Sequence, residues 1–331
     1  MSHDEGRAPR VSVILATYNR ADLVGEAIAS VLAQTVAAGE LVIVADGSTV
    51  ATGAVLARYG DPRLHVLRQG NQGLSAARNA GLGVARGSYV IMLDSDDRQR
   101  PECLARLVAV ADARPDAVVV YGRSQAMDTE GRLMPRVVGN AEPFPGHTLR
   151  SLLYGDFLSI IAALVRRADL LAVGGFDPRA DYAEDWDLWL RLARRGPFVF
   201  VDATLADFRV HPGRMTNAQH QTLDRLVGAR TYILDKTFAQ PDLPAEARAI
   251  RSLAYRNLYV DAALRYSQRG DWAQARAYLR RAAAFGSPLP TVARFAYLAT
   301  FLRLAPRYAW VNRVSDSVAR RRRARRAQVE G

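Results

Sequence analysis

Five short apolar runs, separated by stretches of helical periodicity, organise residues 11–121, and no other feature constrains the fold as strongly. Val11 to Thr17 (VSVILAT) is apolar, rich in β-branched residues, and stops at polar Tyr18-Asn19-Arg20. That pattern predicts a buried strand feeding a loop. Asp22 to Gln34 then sets Leu23, Ala27, Ile28, Val31 and Leu32 on one helical face. Leu41 to Val44 predicts a second strand, closed by Asp46-Gly47-Ser48, and Leu64 to Leu67 a third. Tyr89 to Leu93 predicts a fourth, running into Asp94-Ser95-Asp96-Asp97, and Ala117 to Tyr121 a fifth. Helices are expected over Ser75 to Val84 and over Pro101 to Ala113, the latter with proline at its start. This alternation implies right-handed crossovers and an α/β fold: a mixed, mainly parallel sheet with helices on both faces. Such sheets bind ligands beyond the carboxyl ends of their strands. The clusters Tyr18-Asn19, Asp46-Gly47-Ser48 and Asp94 to Asp97 all fall there.

The residue types in these clusters suggest specific chemistry. Asp94, Asp96 and Asp97 place three carboxylates in four residues, which repel one another unless solvated or sharing a cation. Hard oxygen donors at a strand end suit Mg2+ or Mn2+, which would bridge the phosphates of a nucleotide. A solvated acidic turn capping the helix near Pro101 explains the same residues without a ligand. Asp46-Gly47 reads either as a plain turn or as a carboxylate accepting from a base or ribose. Glu184-Asp185 precedes the helical stretch Leu188 to Arg194, where acidic residues suit the helix dipole. The packed Trp186, Trp189 and Leu190 would hold Asp185 rigidly, as a general base requires. His211, in Arg209-Val-His-Pro-Gly-Arg, reads as structural or as a ligand to a cation or phosphate. No dinucleotide fingerprint, phosphate loop, serine nucleophile elbow or zinc spacing occurs.

At 49% hydrophobic and 24% charged residues, the 331-residue chain is neither disordered, collagenous nor disulfide-stapled. Cys103 is the only cysteine, which fits a reducing compartment. Met1 to Arg10 lacks the apolar core of a signal peptide, and no run of about 18 apolar residues occurs. A cytoplasmic location is expected. From Pro244 onward the chain reads as helices, which sets the expected domains at 1–240 and 241–331. Around Gly270-Asp271 it resembles one tetratricopeptide-like helical pair, with Gly270 the helix stop and Asp271 the next cap. The formal charge is +12, from 44 arginines and a single lysine, Lys236, against 33 acidic residues. Nine arginines against two acids lie between Arg303 and Gly331, so the excess is concentrated in the tail. The apolar stretch Val292 to Leu304 followed by Arg320 to Arg326 suits either an anionic membrane surface, at the inner face of the plasma membrane, or a helix packed on the first domain. The basic tail lacks the interleaved aromatics and motifs of nucleic-acid binders, and no nucleic acid partner is expected.

Seven stretches in this order resemble the inverting glycosyltransferase family 2, of GT-A fold. They are VSVILATYNRADLVGEAIASVLAQT, ELVIVADGST, NQGLSAARNAGL, GSYVIMLDSDD, GGFD, YAEDWDLWLRLA and FRVHPG, covering about residues 10 to 215. The resemblance implies transfer of one sugar from a nucleotide-diphosphate sugar, UDP-sugars favoured, to a hydroxyl on a glycan or lipid-linked acceptor in cell-surface glycan or glycolipid assembly. It implies that Thr17, Tyr18, Asp46, Arg78 and Asp94 bind the donor. Asp96, with Asp94 and His211, would hold Mn2+ or Mg2+; Asp185 would be the catalytic base, supported by Glu184. One departure is Ala45, where the family often carries a first aspartate before Asp46. The Gln-x-x-Arg-Trp motif of the family's processive polymerases is absent, which favours transfer of single sugars. The competing reading is a catalytically silent GT-A module that acts as a scaffold through its helical C-terminal region.

Overall fold

β1 (Val11–Thr17) and β2 (Glu40–Asp46) are buried along their whole length, as strands covered on both faces must be. The structure is a computed structural model that describes residues 9–36, 39–211 and 220–286. These residues form two units that divide between Gln240 and Pro241. In the first, a nine-stranded sheet runs β3 (Leu64–Gln69), β2, β1, β4 (Tyr89–Asp94), β8 (Ala163–Arg166), β6 (Val119–Met127), β9 (Phe198–Arg209) and β5 (Arg98–Gln99). β7 (Leu133–Val138) pairs with β6 off this path. Strands β3, β2, β1 and β4 are mutually parallel, β8 is antiparallel to both its neighbours, and β6 and β9 are parallel. The expected α/β class and mixed sheet are therefore present.

Chain order explains the layers. The chain steps outward from β1 to β2 to β3, then returns to the other side of β1 for β4. Right-handed crossovers then place α1 (Val24–Leu32) and α2 (Val50–Leu56) on one face and α3 (Leu74–Val84) on the other. Gly81 lets α3 approach the sheet: a Cβ there would lie 2.5 Å from Ile14 Cγ2 and 3.2 Å from Val44 Cγ2. The reversal of strand order falls between β1 and β4, where a crevice opens beyond their carboxyl ends. Thr17 and Asp94 end the two flanking strands. α4 (Cys103–Ala113), α5 (Thr148–Tyr154), α6 (Arg167–Ala172), α7 (Glu184–Leu192) and α8 (His220–Phe238) complete the unit.

β6 continues past its expected end at Tyr121 to Met127. Its polar residues Arg123, Ser124 and Gln125 are strand residues because β9 and β7 supply ladders on both sides.

The second unit contains α9 (Ala245–Ala249), α10 (Arg251–Gln268) and α11 (Trp272–Ala283). Tyrosines join the last two helices, with Tyr266 and Tyr278 stacked at 5.5 Å between ring centroids. Gly270 adopts φ +78°, and Asp271 accepts the amide of Gln274 at 3.0 Å, the expected stop and cap. Val292 to Leu304 and Arg320 to Arg326 lie outside the described residues. Among the described residues, no helix is long and apolar enough to cross a membrane.

Candidate active site

The end of β4 and the start of α7 are linked by one arginine. Arg78, on α3, is 2% exposed. It donates from Nη2 to Asp94 Oδ1 at 2.7 Å and from Nη1 to Glu184 Oε1 at 2.8 Å. The Phe176 ring lies 5.2 Å from its guanidinium carbon. Burial works against a charged guanidinium, yet the charges of Asp94, Glu184 and Asp185 raise its pKa further. An arginine so deep is tolerated only because its charge is matched. Arg78 was expected to approach the base or phosphate of a donor; instead its guanidinium is committed to the two carboxylates.

Glu184 is buried, and that burial pushes its carboxyl up to about 7. Asp185 and Asp94 add to the rise, while Arg78 opposes it. The next residue differs. Asp185 is only partly buried, in the first turn of α7, where the helix dipole favours an anion. Its Oδ1 accepts the amide of Trp186 at 2.8 Å, and Trp186 donates its indole N–H to Leu152 O at 2.9 Å. Both tryptophans of the segment, Trp186 and Trp189, are buried, so Asp185 stands on a fixed base. Two residues before α7, Tyr182 holds φ at +71°, a strained value for a bulky side chain.

Asp156, after α5, is exposed, yet neighbouring protein atoms partly desolvate its carboxyl. That desolvation and the charge of Asp185 push it up to about 7, against Arg230. Sequence reasoning missed Asp156 because nothing local distinguishes Gly155-Asp156-Phe157 from an ordinary loop.

On the opposite side of the crevice, Tyr18 is 52% exposed at the end of β1. Thr17 is buried, and its hydroxyl has no hydrogen-bond partner among the described residues. Ser48 donates to Thr17 O at 3.0 Å, and the Thr49 amide donates to Asn19 Oδ1 at 2.8 Å, tying the ends of β1 and β2 together. Asp46 accepts from Gln69 Nε2 at 2.8 Å and from the amides of Gln72 and Gly73 at 2.9 Å each. A carboxylate offers about four acceptor sites. The residue expected to read a base thus also organises residues 69–73.

The expected metal trio is not gathered. Asp94 turns to Arg78, whereas Asp96 Oδ2 lies 2.8 Å from His211 Nε2. Among the described residues, no group of three or more His, Cys, Asp or Glu side chains is placed to hold a metal. The remaining pair nevertheless fits a divalent cation. Two cis ligands of an octahedral ion with ~2.1 Å bonds stand roughly 3 Å apart, and Mg2+ commonly takes few protein ligands beside substrate phosphates and water. Asp97 faces inward and accepts the Arg209 amide at 2.8 Å. Arg209, which ends β9 two residues before His211, was assigned no role in the sequence.

The chain matches the model of Glycosyl transferase family 2 over residues 12–170. It is 41% identical over 136 residues to the succinoglycan biosynthesis protein ExoO of Rhizobium meliloti (strain 1021), covering 38% of this chain and 39% of that protein. The match to TuaG of Bacillus subtilis (strain 168), a candidate glycosyltransferase of teichuronic acid biosynthesis, is 32% over 209 residues. It covers 61% of this chain and 79% of TuaG. Among solved structures, the mannosyltransferase PcManGT from Pyrobaculum calidifontis, in complex with GDP-Man and Mn2+, superposes with a TM-score of 0.60 at 22% identity. That match covers 94% of this chain and 85% of PcManGT. The fold is GT-A.

Proposed function

On the premise that the chain belongs to glycosyltransferase family 2, we propose that it transfers a single sugar, with inversion, from a nucleotide-diphosphate sugar to a hydroxyl of a cell-surface glycan or glycolipid precursor. The observation that carries this reading is the Asp94–Arg78–Glu184 bridge. It joins the end of β4 and the start of α7 in one fixed arrangement. The names of ExoO and TuaG support a role in surface polysaccharide assembly. The chain spans only 39% of ExoO, so the acceptor is proposed by class alone.

In the proposed reaction the acceptor oxygen attacks the anomeric carbon from the face opposite the diphosphate. The new glycosidic C–O bond forms as the bond from carbon to phosphate oxygen breaks. The leaving diphosphate keeps that electron pair, and the hydroxyl proton passes to Asp185. One displacement inverts the anomeric configuration. Asp185 suits the role because its carboxylate is partly exposed and held by its own helix turn. Glu184 is turned to Arg78, which leaves Asp185 as the partly exposed carboxylate of the two. Asp96 and His211 are the residues that would hold Mn2+ or Mg2+. Bound there, the cation would neutralise charge gathering on the diphosphate. The basic tail would keep the enzyme at the cytoplasmic face of an anionic membrane, near lipid-linked acceptors.

A thermal-shift screen of nucleotide-diphosphate sugars with Mn2+, UDP-sugars first and GDP-sugars next, tests the reading. A matching donor at 100 times its Kd should stabilise the fold by about 2.7 kcal/mol. No stabilisation by any donor would contradict it.

A further inference from the structure

We propose that Arg209 is a positioning residue for the Asp94–Asp97 loop, fixing Asp96 for a divalent cation; the inference rests on the cation-assisted reading above. The guanidinium, with its side chain 3% exposed, reaches three separate elements. Nε donates to the carbonyl of Asp96 at 3.1 Å. Nη1 donates to the carbonyls of Asp128 at 3.2 Å and Thr129 at 2.9 Å, in the turn between β6 and β7. Nη2 contacts Glu26 of α1. The Arg209 amide also holds Asp97 Oδ1 at 2.8 Å, and two residues on, His211 meets Asp96 Oδ2 at 2.8 Å. Asp96 is thus gripped at its main-chain carbonyl and at its carboxylate by the same end of β9.

A second arginine braces the first. Arg98 donates to the other oxygen of Glu26 at 2.9 Å, to Gly131 O at 3.3 Å and to Asp207 Oδ2 at 3.0 Å. Glu26 and the turn around 128–131 therefore each receive both guanidinium groups, which leaves Arg209 little freedom to turn. A lysine, with one point charge on a flexible stem, cannot replace a planar fork that donates in three directions. Groups that orient a metal ligand typically change metal affinity by 10–100-fold when removed. None of this geometry is needed merely to close the sheet, since β9 already has its ladder to β6.

The test is direct Mn2+ binding to the full chain in the presence of UDP, followed by the electron paramagnetic resonance signal of free Mn2+. Arg209→Lys is expected to weaken Mn2+ uptake about 10–100-fold, while metal-free UDP binding stays unchanged. Donor turnover should recover at high Mn2+, so that the half-saturating Mn2+ concentration moves more than the limiting rate. Arg132→Ala, on the same turn but with its side chain 75% exposed, should leave uptake as in the wild type. Should Arg209→Lys fail to fold, Glu26→Gln carries the test, because it loosens the guanidinium without touching the loop, and it should weaken uptake in the same direction. Wild-type Mn2+ affinity in a folded Arg209→Lys or Glu26→Gln variant overturns the positioning role alone. If the wild-type chain takes up no Mn2+ with UDP, the cation reading fails and the positioning role falls with it.

Discussion

Glu184 keeps its proton towards neutral pH because burial and the charges of Asp185 and Asp94 outweigh the nearby Arg78 guanidinium. In the unfolded chain the same carboxyl ionises near its ordinary 4.5. Between about pH 4.5 and 7 the folded protein therefore binds the extra proton, and stability falls as pH rises through that window. Asp156 adds to the trend with the same sign. Glu184→Gln should flatten the decline by on the order of 1–3 kcal/mol, read as denaturant midpoints at pH 5 and pH 8; an unchanged slope would contradict the assignment. At this scale the sequence was informative where chemistry is local. Glu184-Asp185, Asp94, Asp96 and His211 stand in short motifs, and a contact such as His211 to Asp96 brings two of them together. The partners of Arg78 and Asp46 were not legible because the fold sets them: the Arg78–Glu184 bond spans 106 residues.

Among the elements, α3 matters most to the site, since it carries Arg78 and rests on β1 and β2 through Gly81. A methyl group at Gly81 meets Ile14 at 2.5 Å, and the clash is with core side chains that have nowhere to retreat. Gly81→Ala should cost about 1–3 kcal/mol of stability and lower donor turnover, because a displaced α3 takes Arg78 away from Asp94 and Glu184. Unchanged stability and turnover would show that α3 has slack. The strands up to β4 and the helices α1 and α3 were legible because apolar runs and helical periods announce themselves, whereas the short α2 was not. The later sheet was not. β8 is four residues long and inserts antiparallel between β4 and β6, and β9 mixes polar and apolar residues over twelve. Their strand character comes from partners distant in sequence.

At the scale of the whole molecule, charge and chemistry separate. The arginine-rich tail accounts for most of the +12, while the acidic groups assigned to the proposed reaction gather around Arg78 in the first unit. Removing residues 315–331 should therefore release the protein from anionic vesicles in sedimentation and leave turnover of a soluble donor within about twofold. Undiminished sedimentation would contradict the membrane role. The proposed transfer requires the first unit to hold Asp185 beside the donor. Its most direct test needs no acceptor, because water can take the acceptor's place slowly. Release of nucleoside diphosphate from a donor identified by thermal shift is measured with Mn2+ for the wild type and Asp185→Asn. The expected result is equal donor binding with release reduced about 10²–10⁴-fold in the variant; near-wild-type release would contradict Asp185 as the base.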